Sequence, residues 1–157
     1  MLSALLLAAA LAPSQKIEKV EAFAARAWGP YFESNKSGLK GGSSYLVFTD
    51  GDKMGAVLRP VPPIGGRRAE PVPKDAFDKS IVIAVIKRGT QTYDYTLEKA
   101  EARDGVVRVE IKSVAKGVPN GGATFATPYV LTIPKGKWKS VEFFDNGKKA
   151  ATVKLAE

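Results

Sequence analysis

Ile81-Val82-Ile83-Ala84-Val85-Ile86 decides the fold class. Five of the six residues are β-branched, and such side chains suit a pleated surface better than a helix. Successive residues of a strand point to opposite faces, so an unbroken apolar run predicts a strand buried on both sides and central in its sheet. Each face then needs a cover, either a helix or a second sheet.

Two hairpins lie downstream. Residues 92–101 and 106–114 flank Arg103-Asp104-Gly105. A three-residue loop with Gly105 in the left-handed region places Leu97 opposite Ile111 and Lys99 opposite Val109. It gathers Tyr93, Tyr95 and Leu97 on one face with Val107, Val109 and Ile111. The same register sets Glu98 against Glu110, a mildly unfavourable pair. Residues 140–144 and 149–155 flank Asp145-Asn146-Gly147. A three-residue loop is again expected, rather than a two-residue Asn-Gly turn. It pairs Val141 with Ala151 and Phe143 with Lys149. Val141, Phe143, Ala151, Val153 and Leu155 then share one face, and Phe144 turns to the other.

The rest of the chain reads around these elements. Residues 129–133 and 45–49 are strands. Asp50 caps a short helix through Leu58, with Met54, Val57 and Leu58 buried. Ile17, Val20, Ala24 and Ala27 follow helical spacing, so residues 16–28 read either as a helix stopped by Gly29-Pro30 or as an irregular strand. Residues 33–44 and 116–127 are loops rich in Gly, Ser, Asn and Lys or containing Pro-Asn-Gly-Gly. Residues 59–74 hold five prolines and form a connector outside any sheet, because proline lacks the ladder's donor. The expected fold is mainly β, an antiparallel sheet or β-sandwich of about six strands with one or two short helices.

The 157 residues suit one domain, and a chain of this size buries enough surface to need no metal or disulfide. Apolar residues make up 45% and charged residues 25%, a globular balance. There is no Cys and no His. That excludes disulfides, thiol catalysis and thiolate metal sites, and removes the commonest general base and metal ligand. Residues 1–14 are uncharged, with an apolar run from Leu2 to Ala12 too short to span a bilayer. They read as a signal peptide cleaved near Ser14, so the chain is expected to be exported. An N-terminal segment, 15–44, and a single β-rich domain, 45–157, follow.

Chemical motifs are sparse. Ser37-Gly38-Leu39-Lys40 matches Ser-x-x-Lys, but the companion Ser-Asp-Asn and Lys-Thr-Gly are absent. Asp50-Gly51-Asp52 lacks the later ligands of a calcium loop and reads as a helix cap. Asp75 and Asp78 read as caps of the turn before the Ile81 strand. No catalytic residue, metal or cofactor is expected. The net charge is +8, spread along the chain and densest at Lys135, Lys137 and Lys139. No nucleic-acid module accompanies it, and no nucleic-acid partner is expected. Tyr93, Tyr95, Tyr129, Trp138 and Phe144 lie on or beside strands. They are the candidate partner-binding residues, since aromatic anchors dominate binding energetics.

From Phe77 onward the order of features resembles the C-terminal domain of the PrcB family, the protease-complex stabilising proteins of bacterial envelopes. Phe77-Asp78 precedes the Ile81 strand, Gly89 and a Tyr-containing strand follow, and Thr127-Pro128-Tyr129-Val130 leads to Ile133-Pro134-Lys135. Residues 45–58 resemble the strand and helix before that domain. Gln91-Thr92-Tyr93 stands where the family has Gly-Gly-Tyr. The resemblance covers about half the chain. It implies a periplasmic or secreted, non-catalytic module that binds another envelope or secreted protein, a protease among the candidates. The alternative is a β-domain that binds carbohydrate or wall polymer.

Overall fold

The computed structural model describes residues 20–62, 70–117 and 122–155. The proposed signal peptide lies outside these residues, as do parts of the 59–74 and 116–127 segments. Among the described residues, eleven strands form three sheets, mostly antiparallel, with two short helices. The count exceeds the expected six because short strands near the N-terminus and after the first helix add to the long ones.

The strands are β1 (Glu21–Ala22), β2 (Arg26–Trp28), β3 (Tyr31–Glu33), β4 (Ser43–Phe48), β5 (Leu58–Pro60), β6 (Ser80–Gly89), β7 (Thr92–Arg103), β8 (Val106–Lys116), β9 (Phe125–Pro134), β10 (Ser140–Asp145) and β11 (Lys148–Lys154). The helices are α1 (Gly51–Val57) and α2 (Ala76–Lys79). One sheet has the order β1-β7-β8-β10-β11 and the second β2-β9-β6-β4, while β3 and β5 form a two-stranded ribbon.

Strand β6 is buried as its composition requires, with Ile81 to Ile86 at 0–3% exposure. Its odd-numbered residues join Leu131 and Ile133 against Val107, Val109, Val141 and Phe143 of the other sheet. Its even-numbered residues face a second core made with Tyr31, Phe48, Met54 and Leu58. One face is therefore covered by a sheet and the other by α1 and the ribbon. Asp50 caps α1 as expected, its Oδ1 accepting the Lys53 N–H at 2.8 Å. Met54 is buried, and Leu58 begins β5 rather than ending the helix.

Residues 20–28 are not helical. Val20, Ala24 and Ala27, the expected helical stripe, are all exposed. Phe23 and Ala25 alternate inward onto the inter-sheet core. The segment crosses the sandwich, pairing with β7 through β1 and with β9 through β2. The described part of residues 15–44 is thus built into the sheets. Pro60 lies in β5, opposite Tyr31, so the proline-rich connector begins as a strand. Proline is tolerated there because β5 has only one paired neighbour.

Both hairpin loops differ from expectation. Arg103 pairs with Val106, and Asp145 with Lys148, leaving two-residue turns at Asp104-Gly105 and Asn146-Gly147. All four turn residues have positive φ, the type I′ geometry whose twist matches the strands. The extra residue needed to keep core residues facing inward lies within the strands instead. Glu98 bulges out of β7, so Leu97 still meets Ile111 while Lys99 meets Glu110. Ala150 is passed over in β11, so Phe143 meets Ala151 and Val141 meets Val153. The expected faces hold, and Phe144 does point away from Phe143. Bulging also removes Glu98 from opposition to Glu110. Strand β10 pairs parallel to β8, since the chain leaves the first sheet as β9 before returning.

Gly105 and Gly147 give a direct comparison. A Cβ in the left-handed region costs about 1–2 kcal/mol. At Gly147 it would meet nothing, whereas at Gly105 it would lie 3.3 Å from the Lys137 carbonyl oxygen. Gly105→Ala is therefore expected to lower urea-unfolding stability more than Gly147→Ala, and Gly147→Asn to recover most of its loss. Equal losses at the two turns would contradict this packing.

Candidate functional site

Three of the five candidate aromatics converge. Tyr93 and Tyr95 lie on the inner face of β7, with ring centroids 6.4 Å apart. Tyr95 stacks on Tyr129 of β9 at 5.1 Å with an interplanar angle of 3°. Its hydroxyl donates to the Thr127 carbonyl at 2.7 Å. Burial pushes the phenol pKa of Tyr95 well up and raises that of Tyr129, so both stay neutral hydrogen-bonding groups.

Beside this stack is a polar cluster that joins the sheets. Lys87, at the end of β6, lies 2.5 Å from Asp145 of β10. Lys87 also donates to the Ser113 hydroxyl at 2.5 Å, and Ser113 Oγ donates to Asp145 Oδ1 at 2.6 Å. The Tyr45 hydroxyl donates to Asp145 Oδ2 at 3.3 Å. Burial first, and the Asp145 charge second, push the Tyr45 pKa up to about 12. The Asn146 side chain donates to the Ser113 carbonyl at 3.0 Å, tying the β10–β11 turn to β8. Lys87 Nζ also lies 5.1 Å from the centre of the Tyr93 ring. Lys87 and Ser113 touch, with Lys87 donating to the hydroxyl and the hydroxyl donating to Asp145. The arrangement is an inter-sheet clamp that fixes the tyrosine platform.

Sequence reasoning missed Tyr45, Lys87, Ser113, Asp145 and Asn146. They come from five strands or turns, and their spacing in the chain carries no signal. The one legible hint was a Lys-Arg pair ending the apolar β6 run, where charges so near a core need partners. Arg88 has its own: its guanidinium donates to Glu33 at 2.6 and 2.9 Å. Burial alone would raise the Glu33 pKa, but hydrogen bonds from Arg88 and Ser37 outweigh it and hold the carboxyl below its ordinary value. A depressed carboxylate contributes stability above its unfolded-state pKa and loses it as pH falls through the folded-state pKa. Glu33→Gln should therefore destabilise at neutral pH and flatten the acid limb of stability measured in urea. An unchanged acid limb would contradict the pairing.

The other two candidates lie elsewhere. Phe144 is on the outer face of the first sheet, with the Arg108 guanidinium 3.9 Å above its ring. Trp138 lies at the opposite end of the sandwich, in the β9–β10 connection, where its Nε1 donates to the Pro134 carbonyl at 2.9 Å. The five aromatics therefore do not form one surface. No group of three or more acidic, His or Cys side chains suited to a metal occurs among the described residues.

One further feature joins the tyrosine platform. Strand β7 is 12 residues long, but its outer neighbour β1 pairs only with Glu101 and Ala102. The Phe23 N–H reaches the Ala100 carbonyl at 3.2 Å before the chain departs to the second sheet. From Thr92 to Leu97 no described strand lies along the outer edge of β7. Comparison with models of known families, with characterised proteins and with solved structures finds no match.

Proposed function

We propose that this chain is an exported, non-catalytic module that binds a partner protein by receiving one of its strands along β7. The outer edge from Thr92 to Leu97, along which no described strand pairs and of which the Leu97 N–H is met by the Tyr129 hydroxyl, carries the reading. An open edge presents a row of backbone donors and acceptors whose physical complement is another extended strand. The Tyr95–Tyr129 stack and the Tyr95 hydrogen bond hold that edge from beneath. A pre-organised edge loses less entropy on binding than a mobile one. The sheet's other edge, β11, carries Lys148, Lys149 and Lys154, the kind of charge that discourages strand addition. Envelope export and a protease as partner come from the leader and from the resemblance to the PrcB family.

The test uses an edge-blocked double variant, Asp94→Lys with Thr96→Lys. Both side chains are exposed, and the Asp94–Lys116 ion pair is a surface one, so stability should hardly change. Tagged protein crosslinked in its native host should capture a partner that the variant does not, and the purified pair should reproduce the difference. A partner bound equally by both forms would overturn strand addition on β7.

A further inference from the structure

We propose that the end of the sandwich around Trp138 binds an acidic polysaccharide, a second activity on a surface separate from β7. Backbone hydrogen bonds assemble this end from distant segments. Lys135 N donates to the Lys79 carbonyl, Lys139 N to the Gly105 carbonyl, and Leu155 N to the Lys139 carbonyl. Five lysines are thereby gathered: Lys79, Lys135, Lys137, Lys139 and Lys154.

Like Lys36, Lys40, Arg59, Lys74, Lys112 and Lys148 elsewhere on the surface, they make no ion pair among the described residues, but here five such lysines lie together at one end. Ion pairs occupy Arg26, Lys53, Lys87, Arg88, Lys99, Arg108, Lys116 and Lys149 on other parts of the molecule. Among the described residues, none of the five lysines has a carboxylate within ion-pair distance. Lys135 donates to the Phe77 carbonyl at 2.6 Å. The charges at this end are thus left for an anion to neutralise.

Beside them is a hollow of about 400 Å³ lined by Thr49, Ile81, Lys135, Lys137, Trp138 and Leu155. It combines an apolar floor with a cationic rim. The indole is fixed by its bond to Pro134 and lies against Gly136, where a Cβ would come within 2.3 Å of the ring. A sugar ring offers both a C–H face for Ile81, Leu155 and the indole and hydroxyls for the rim. Lysines are rotatable point charges, which suit acidic groups repeated along a polymer better than one fixed carboxylate fork. Among the described residues Trp138 is the aromatic that lines the hollow, its neighbour Phe23 packing on the inter-sheet core, so there is no exposed row of rings for successive bases, which disfavours single-stranded nucleic acid.

The experiment measures binding of the full chain to a polygalacturonate oligomer at about 150 mM salt, where weak surface electrostatics are largely screened. A neutral dextran oligomer, a poly-glutamate peptide and single-stranded DNA of matched charge serve as comparisons. The expected result is preferential binding of polygalacturonate, weakened about tenfold or more by Lys137→Glu with Lys139→Glu because two counterion-releasing contacts are lost. Lys148→Glu on β11 should leave binding unchanged. Trp138→Phe should weaken binding to polygalacturonate while leaving its salt dependence intact, with folding checked by thermal unfolding. Equal binding of the peptide or DNA, or no binding at this salt, would overturn the proposal.

Discussion

Ile83→Ala is expected to lower the unfolding free energy by about 2–5 kcal/mol, the usual range for a large-to-small change in a closed core. Ile83 has no exposed surface, and it packs in the inter-sheet core from the middle of β6. Its neighbours on that face, Val85 and Leu131, are themselves fixed by both sheets, so the space left by the side chain has little room to collapse. Val82→Ala, directed into the second core, should also be costly, though less so because fewer methylenes are removed. Urea unfolding of the two variants reads both cores through one strand. A loss below about 1 kcal/mol at Ile83 would place β6 at an edge, contrary to its two paired neighbours.

Asp145→Ala is expected to cost about 3–5 kcal/mol, because removing one member of a buried ion pair leaves the other uncompensated. Lys87 and Asp145 side chains are only 15% and 9% exposed. The same change strips Ser113 and Tyr45 of their acceptor. Lys87→Met combined with Asp145→Leu should be much milder than Asp145→Ala alone, since no charge is then left buried. A double-mutant cycle on the pair should show strong coupling. Additive losses would mean that the two side chains act separately and that the sheets are held together by the apolar core alone.

The expected fold class was legible because the β6 run is short and five of its six residues are β-branched, which favours a strand with both faces covered over a buried helix. The hairpins were half legible. Facing side chains required one extra residue between core and turn, and that parity is visible in Leu97 and Ile111 or in Phe143 and Ala151. Parity does not say where the residue goes. Asp-Gly and Asn-Gly favour two-residue turns with positive φ, so Glu98 and Ala150 became the bulges. Residues 20–28 misled because Ala24 and Ala27 fit a helical stripe as small residues, while Phe23 and Ala25 turn onto the inter-sheet core and Trp28 onto the second core. Of the candidate site, Tyr93, Tyr95 and Tyr129 could be found as aromatics on strands. Lys87, Ser113 and Asp145 could not, since three strands from two sheets bring them together.

A partner strand along β7 is read out most directly by amide hydrogen exchange on the isolated and partner-bound protein. Unpaired edge amides exchange readily, while those in a central strand open only with the whole fold. Binding should sharply slow exchange across Thr92–Leu97 and leave Ser43–Phe48, the edge of the second sheet, unchanged. Slowing confined to Ser43–Phe48 or to α1, with Thr92–Leu97 exchanging as in the free protein, would contradict it.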